Sequence, residues 1–365
     1  MLKPEDTIHR FLISTPSRLV GEYNSEDLII NHAWRSELLT HHSIEGPFSR
    51  SYYMVSLKLE NQQEDTLMIP DISIEPLITW LSVLFGKRFE NHGPVQQNGL
   101  FRIPDLGEQK PLRQYKLGFI NHQPRSNLGV ALNLTNFQIM KPLSTDKTDS
   151  ANNAVIPLFN TAGKFYLRAL QTYDTNPENA YLDLITCGEI LSNHFTFEDE
   201  QMYDPALLKM FEEIEGQITN GKNIVKNIKN RLYQVKRRFT FTILKLLTPD
   251  FYEAHEVPNG ASTYASLTPD TIETRIKAAY DLRSMYVHTG IRFGKAISFE
   301  SYEVPIGTWT TVEGQIEKNL LKSINQAPTF KGLERIIRFC LLQFLHTNNV
   351  INLAELPQIN EPATE

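Results

Sequence analysis

The spacing of hydrophobic positions changes character partway along the chain. Ser51 to Glu60 (SYYMVSLKLE) carries β-branched and aromatic residues with partial alternation, the pattern of a strand. Glu75 to Phe85 (EPLITWLSVLF) is apolar throughout and reads as a helix, with Pro76 suited to its first turn and Gly86 to its end. Strands are predicted around Lys87–Glu90 and Leu100–Ile103, joined by a loop holding Gly93-Pro94 and Asn98-Gly99. Tyr115–Ile120 and Leu128–Ile139 are further strand candidates. Residues 1–150 therefore read as a mixed α/β N-terminal domain. Lys141 to Asn153 (KPLSTDKTDSANN) is polar and turn-rich, as a domain linker would be.

Beyond residue 150 the period becomes helical. Ala154–Tyr173 places Ile156, Phe159, Phe165, Leu167 and Leu170 at helical spacing. Asn176-Pro177-Glu178 supplies a cap, an N1 proline and an early acid, opening a helix to about His194. Helices follow at Pro205–Ile218, Gly221–Leu247, Val312–Asn325 and Phe330–Leu345. The fold class expected is an α+β N-terminal domain followed by an all-α bundle over 151–350, with a fraying tail at 351–365.

One helix is written more fully than the rest. In Thr268–Gly290 (TPDTIETRIKAAYDLRSMYVHTG), Thr268 is placed to cap, Pro269 sits at N1, and Asp270 and Glu273 put negative charge near the positive end of the dipole. Ile272, Ile276, Ala279, Leu282 and Tyr286 form one buried stripe, and Gly290 is a left-handed stop. Within it lie Arg283 and, five positions on, His288. His288 falls in the last turn, where the dipole favours a cation.

Composition adds bounds. The apolar and charged fractions are those of an ordinary globular protein, and a net charge of −6 excludes a global field that would recruit nucleic acid. Cys187 and Cys340 lie in apolar helical contexts and read as buried free thiols of a cytoplasmic protein. The first twenty residues lack the apolar run of a signal peptide, and Phe339–Leu345 is too short to span a bilayer, so neither secretion nor membrane insertion is expected.

Charge is unevenly spread. Glu189 to Glu215 holds eight acids against Lys209, whereas Gln217 to Pro249 holds eight bases and no acid. Two readings stand: neighbouring helices that neutralise one another, or a basic surface for a phosphate backbone built from Lys222, Lys226, Lys229, Arg231, Lys236, Arg237 and Arg238. Tyr233, Phe239 and Phe241 are interleaved with these bases and are candidates for stacking on nucleobases or for the core. His41-His42, His92 and His122 lack ligand spacing, so no metal site is expected, and no glycine loop for phosphates or nucleophile elbow is present. His32, Trp34 and Arg35 are candidates to line a pocket in the front half.

The string Tyr280-Asp-Leu-Arg283-Ser284-Met-Tyr-Val-His288-Thr-Gly290 resembles the signature helix of HEPN domains, in particular the Apea-like group. Phe165–Tyr173 resembles that family's first core helix, and Tyr181–Leu191, with Glu189, the helix that follows. Cys187-Gly188 replaces the family's usual Ala-Leu, and Thr289 interrupts the more usual Gly-Gly after the histidine. The resemblance covers roughly residues 155–347. It implies an all-α bundle that dimerises through this helix and acts as a metal-independent RNA endonuclease, without cofactor, in phage defence, toxin–antitoxin or RNA-processing systems. Two copies of Arg283 and His288 would then form one composite site, with a regulatory partner or trigger acting through the front domain.

The chemistry fits those residue types. RNA brings its own nucleophile, the 2′-hydroxyl, and cleavage needs a base, an acid and positive charge on the phosphorane. Histidine serves either proton role, and a guanidinium grips two phosphate oxygens. Side chains five positions apart on one ideal helix point about 140° apart, so a two-fold axis is the way to bring both to one phosphate. Ser284 is placed to bond the phosphate or orient the arginine, Asp281 to steer Arg283, and Glu189 to be its buried partner. The competing readings are a non-catalytic module that binds RNA, a nucleotide or a protein, and a pair that only stabilises a dimer.

Overall fold

The computed structural model describes residues 7–15, 19–33, 51–59, 74–97, 100–101, 132–133, 154–232, 234–253, 267–297 and 318–353. Several expectations lie outside them: the segments Tyr115–Ile120 and Lys141–Asn153, most of Leu128–Ile139, the tail from Gln358, and Trp34, Arg35, His41, His42, His122 and Tyr233.

The front half forms an antiparallel sheet of six strands: β1 (Thr7–Thr15), β3 (Tyr23–Asn24), β4 (Leu28–His32), β5 (Ser51–Leu59), β6 (Glu90–Gln97) and β7 (Leu100–Phe101), in the order β3-β4-β5-β1-β6-β7. A separate parallel pair joins β2 (Leu19–Val20) to β8 (Leu132–Asn133). Central strand β1 pairs with β5 along its whole length, from Thr7 opposite Leu59 to Thr15 opposite Ser51. Ile30, Val55 and Phe11 stand opposite one another across three strands, and Tyr53 stands opposite Ile13; all five are buried. This apolar face is the strand period at work. The loop expected at Gly93-Pro94 is instead part of β6: Pro94 pairs with Phe11, and the register slips on both sides of that pairing. A bulge accommodates a proline and a left-handed glycine (φ 89°) inside a strand.

Helix α1 (Glu75–Phe85) begins with Pro76 in its first turn and ends at Gly86, whose φ of 62° and N–H bond to the Ser82 carbonyl (2.8 Å) close the last turn. Every residue from Leu77 to Phe85 is buried, because α1 packs on β6 and also on two helices of the back half. Those are α2 (Val155–Thr172) and α12 (Phe330–Thr347). Trp80 Nε1 donates to Asn160 Oδ1 of α2 (2.9 Å), and Arg338 of α12 donates from Nε to the Val83 carbonyl (2.6 Å) and from Nη2 to the Leu84 carbonyl. One buried apolar cluster therefore runs from the sheet through α1 into the helices, and a division at residue 150 does not divide that core.

The remaining helices are α3 (Pro177–Ser192), α4 (Asp199–Met202), α5 (Pro205–Gln217), α6 (Gly221–Arg231), α7 (Val235–Leu246), α8 (Pro249–Glu253), α9 (Pro269–Thr289), α10 (Gly294–Ile297) and α11 (Lys318–Gln326). Asn176 caps α3 as expected, its side chain accepting from the Asn179 N–H at 3.1 Å. The long helix expected over Gly221–Leu247 is two helices, α6 ending at Arg231 and α7 beginning at Val235. Residues 312–317 of the predicted Val312–Asn325 helix lie outside the described residues. A second, small cluster of Met202, Tyr203, Phe211 and Val225 holds α4, α5 and α6 together. The architecture is α+β, and no helix among the described residues is long and apolar enough to cross a membrane.

Candidate functional site

Helix α9 packs against α3, α7 and α11, and that packing sorts its residues. Ile272, Ile276, Ala279 and Leu282 are buried, Tyr286 is half-buried and His288 is exposed. At the N-terminus the Thr268 hydroxyl does not cap the backbone; it bonds the Thr271 hydroxyl at 2.9 Å. At the other end Gly290 (φ 70°) donates to the Tyr286 carbonyl at 2.8 Å, while the Thr289 hydroxyl donates to Met285 O and accepts from the Ile291 N–H. Thr289 thus ties the turn after His288.

Arg283 points to α3. Its Nη2 lies 3.6 Å from Glu189 Oε2, and its guanidinium carbon sits 5.5 Å from the centre of the Tyr280 ring. The pairing with Glu189 anticipated from sequence is present, at a distance beyond a hydrogen bond. Glu189 spends its other oxygen on Tyr280, whose hydroxyl donates to Oε1 at 2.8 Å. Burial, and then the bonded and charged Glu189, push the Tyr280 phenol far above its usual range, so it stays a donor. Sequence reasoning placed Tyr280 in the resemblance string but gave it no role.

Asp281 does not steer Arg283. It accepts from Lys236 Nζ of α7 at 2.5 Å, because Lys236 reaches it across the α7–α9 contact. Ser284 is half-buried, and its hydroxyl has no partner among the described residues. The geometry thus unites Glu189, Tyr280 and Arg283, with Lys236 and Asp281 alongside, and leaves His288 on the outside of the same helix.

Gly188 explains how Glu189 comes to be there. A Cβ at Gly188 would stand 2.5 Å from Cε2 of Phe239, a fully buried ring of α7. Phe239 in turn lies 5.5 Å from the Tyr280 ring. The missing side chain lets α7 close on α3, and this seats Tyr280 over Glu189.

The basic stretch divides in two. Lys229 pairs with Asp199 and sits over the Phe211 ring; Asp199 is the main reason its ammonium is held above its ordinary pKa. Lys236 is held by Asp281. Arg238 donates to the Ser192 and Phe195 carbonyls at 3.1 and 3.0 Å. These three expected RNA-binding bases are therefore engaged by partners in the chain, the two lysines in partly exposed ion pairs and Arg238 on carbonyls at the end of α3. Phe239 is fully buried and cannot stack on a base. Lys222, Lys226 and Arg231 are exposed and Arg237 is half-buried.

Elsewhere the sequence candidates are structural. His92 Nε2 is 2.7 Å from Ser14 Oγ, and His32 packs on Tyr53. Cys187 and Cys340 are free, and burial pushes both thiols up. Among the described residues no cluster of His, Cys, Asp or Glu is arranged to hold a metal ion.

Comparison with protein families, with curated proteins and with solved structures finds no match to this chain.

Proposed function

We propose that the chain is a metal-independent RNA endonuclease of the HEPN type, cutting through Arg283 and His288 contributed by two copies. Arg283 carries the proposal: it is a partly covered guanidinium none of whose N–H groups makes a hydrogen bond among the described residues, on the helix that ends with an exposed histidine. An arginine in that condition is ready for a phosphate, which takes two N–H donors at once. In the reaction the 2′-oxygen attacks phosphorus, one His288 takes its proton, the bond to the 5′-oxygen breaks, and the second His288 returns a proton to that oxygen. The two arginines hold the charge that builds on the phosphorane. Exposed Val287, beside His288, offers apolar surface for the second copy. A role in defence or toxin–antitoxin biology belongs to the same reading.

The test is cleavage of RNA by purified protein in EDTA. The expected products carry a 2′,3′-cyclic phosphate and a 5′-hydroxyl, and Arg283→Ala and His288→Ala each abolish them. Cleavage that persists in both variants refutes the reading.

A second reading, a non-catalytic module that holds RNA, a nucleotide or a protein, draws on His288: no described residue orients its ring, whereas a general base is ordinarily oriented by a partner. RNA binding that survives His288→Ala unchanged, with no cleavage by the parent protein, distinguishes it.

A further inference from the structure

Arg283 and Glu189 are joined unlike another arginine–carboxylate pair that α3 makes. Arg168 of α2 makes a two-point contact with Asp183 of α3, its Nε donating to Oδ2 at 2.8 Å while Nη2 donates to Oδ1. Arg283 stands 3.6 Å from Glu189 with no such contact, although both side chains are more covered than Arg168. The difference lies in what occupies the carboxylate. Tyr280 donates to Glu189 Oε1, and the ion pair with the guanidinium runs through Oε2. The tyrosine is itself fixed, being buried and packed on Phe239. Asp281, the nearest other acid on the helix, is taken by Lys236.

We propose that Glu189 and Tyr280 are positioning residues that hold Arg283 in reserve for a phosphate: Glu189 is a resident anion that the phosphate displaces, and Tyr280 keeps that anion from gripping the arginine with both oxygens. Identifying the phosphate as that of RNA rests on the nuclease reading above; the clamp itself needs only an anion. A two-point grip of the Arg168–Asp183 kind would occupy the donors that a phosphate needs. Removing the anion altogether would leave a partly covered cation with no counter-charge, and a phosphate would be drawn to it more strongly. The two residues therefore oppose one another, and their removal has opposite consequences for anion affinity.

Inorganic phosphate is the probe, titrated against the full chain and followed at the Arg283 side-chain Nε–H by nitrogen-edited NMR, with Arg283→Lys to assign the signal. Glu189→Gln tightens phosphate binding by roughly three- to fivefold, the range that a partly exposed ion pair commands. Tyr280→Phe weakens it by roughly two- to threefold, because the hydrogen bond acts on the arginine only through Glu189. The double variant follows Glu189→Gln, because without the carboxylate the hydroxyl has nothing to restrain. Affinity lowered in both single variants, or unchanged in both, overturns the clamp. Should Tyr280→Phe fold poorly by circular dichroism, the sign of Glu189→Gln alone decides. RNA cleavage by the same samples separates the two claims. Opposite signs without cleavage leave the clamp standing and remove the nuclease, whereas cleavage lost in Arg283→Ala without the opposite signs does the reverse.

Discussion

Gly188→Ala reports on the packing that seats the candidate site. In an ordinary helix interior, alanine in place of glycine stabilises by about 1 kcal/mol, through lower backbone entropy in the unfolded chain. At Gly188 the new methyl would lie 2.5 and 2.9 Å from two carbons of the Phe239 ring and 3.3 Å from Ile243 Cδ1. Carbon atoms rest about 3.5–4.0 Å apart, so the ring must retreat by about 1 Å. It cannot turn aside into solvent, because it is fully buried and lies against Tyr280. Overpacking of this kind costs about 1–3 kcal/mol. Contacts as short as 2.5 Å to a ring with no room to move put the cost in the upper half of that range, above the entropic gain, and Gly188→Ala is expected to destabilise by about 1–2 kcal/mol in urea unfolding followed by circular dichroism. Phe239→Leu creates room and loses burial of its own. The double variant should therefore be more stable than the sum of the single changes by about 1 kcal/mol or more. If Gly188→Ala raises stability as a solvent-facing glycine would, the account of how α7 closes on α3 is wrong.

Three further outcomes are expected. Arg338→Met keeps the stem but removes the donors that reach the Val83 and Leu84 carbonyls; relief from burying a cation offsets part of that loss, leaving a deficit of about 2–3 kcal/mol in the same unfolding assay. His9 is buried in β1 with no partner for Nδ1 among the described residues, and burial lowers its pKa below the ordinary 6.5, so its contribution to stability is present above pH 6.5 and is lost as pH falls below it; urea midpoints of the parent should drop more between pH 7.5 and 5.5 than those of His9→Leu. Changing exposed Lys222 and Lys226 together to Ala should lower the slope of log binding constant against log salt for single-stranded RNA by about 1–2, whereas Lys229→Ala, which gives up Asp199 and Phe211, should chiefly lower stability.

The parts of this fold legible in the sequence are those whose cause is local. Pro76 and Gly86 bracket α1, Asn176 and Pro177 open α3, and Pro269 and Gly290 bound α9; each acts within a few residues of itself. What escaped depends on distant partners. Strands β1 and β4 went unread: Phe11, Leu12 and Ile13 run together without alternation because β1 is covered on both faces at the centre of the sheet. Gly93-Pro94 reads as a turn by composition, and only pairing with β1 makes it a bulged strand. The interruption between α6 and α7 contains neither glycine nor proline. At the site, Glu189 was visible as an acid on an apolar helix face that needed a cation. Asp281 was misassigned because Lys236 approaches it from another helix, and the Tyr280 hydroxyl was hidden behind an aromatic ring that serves the core as well.

Arg338 binds carbonyls that lie 254 and 255 residues earlier in the chain. During synthesis, α1 leaves the ribosome long before the guanidinium that completes it exists. At about 5–20 residues per second the interval is tens of seconds at the slow end of that range. Throughout it an almost wholly apolar helix has only β6 and then α2 to cover it, so the nascent front half is where a holding chaperone has most to do, and a chain cut short before α12 is a ready target for quality-control proteases.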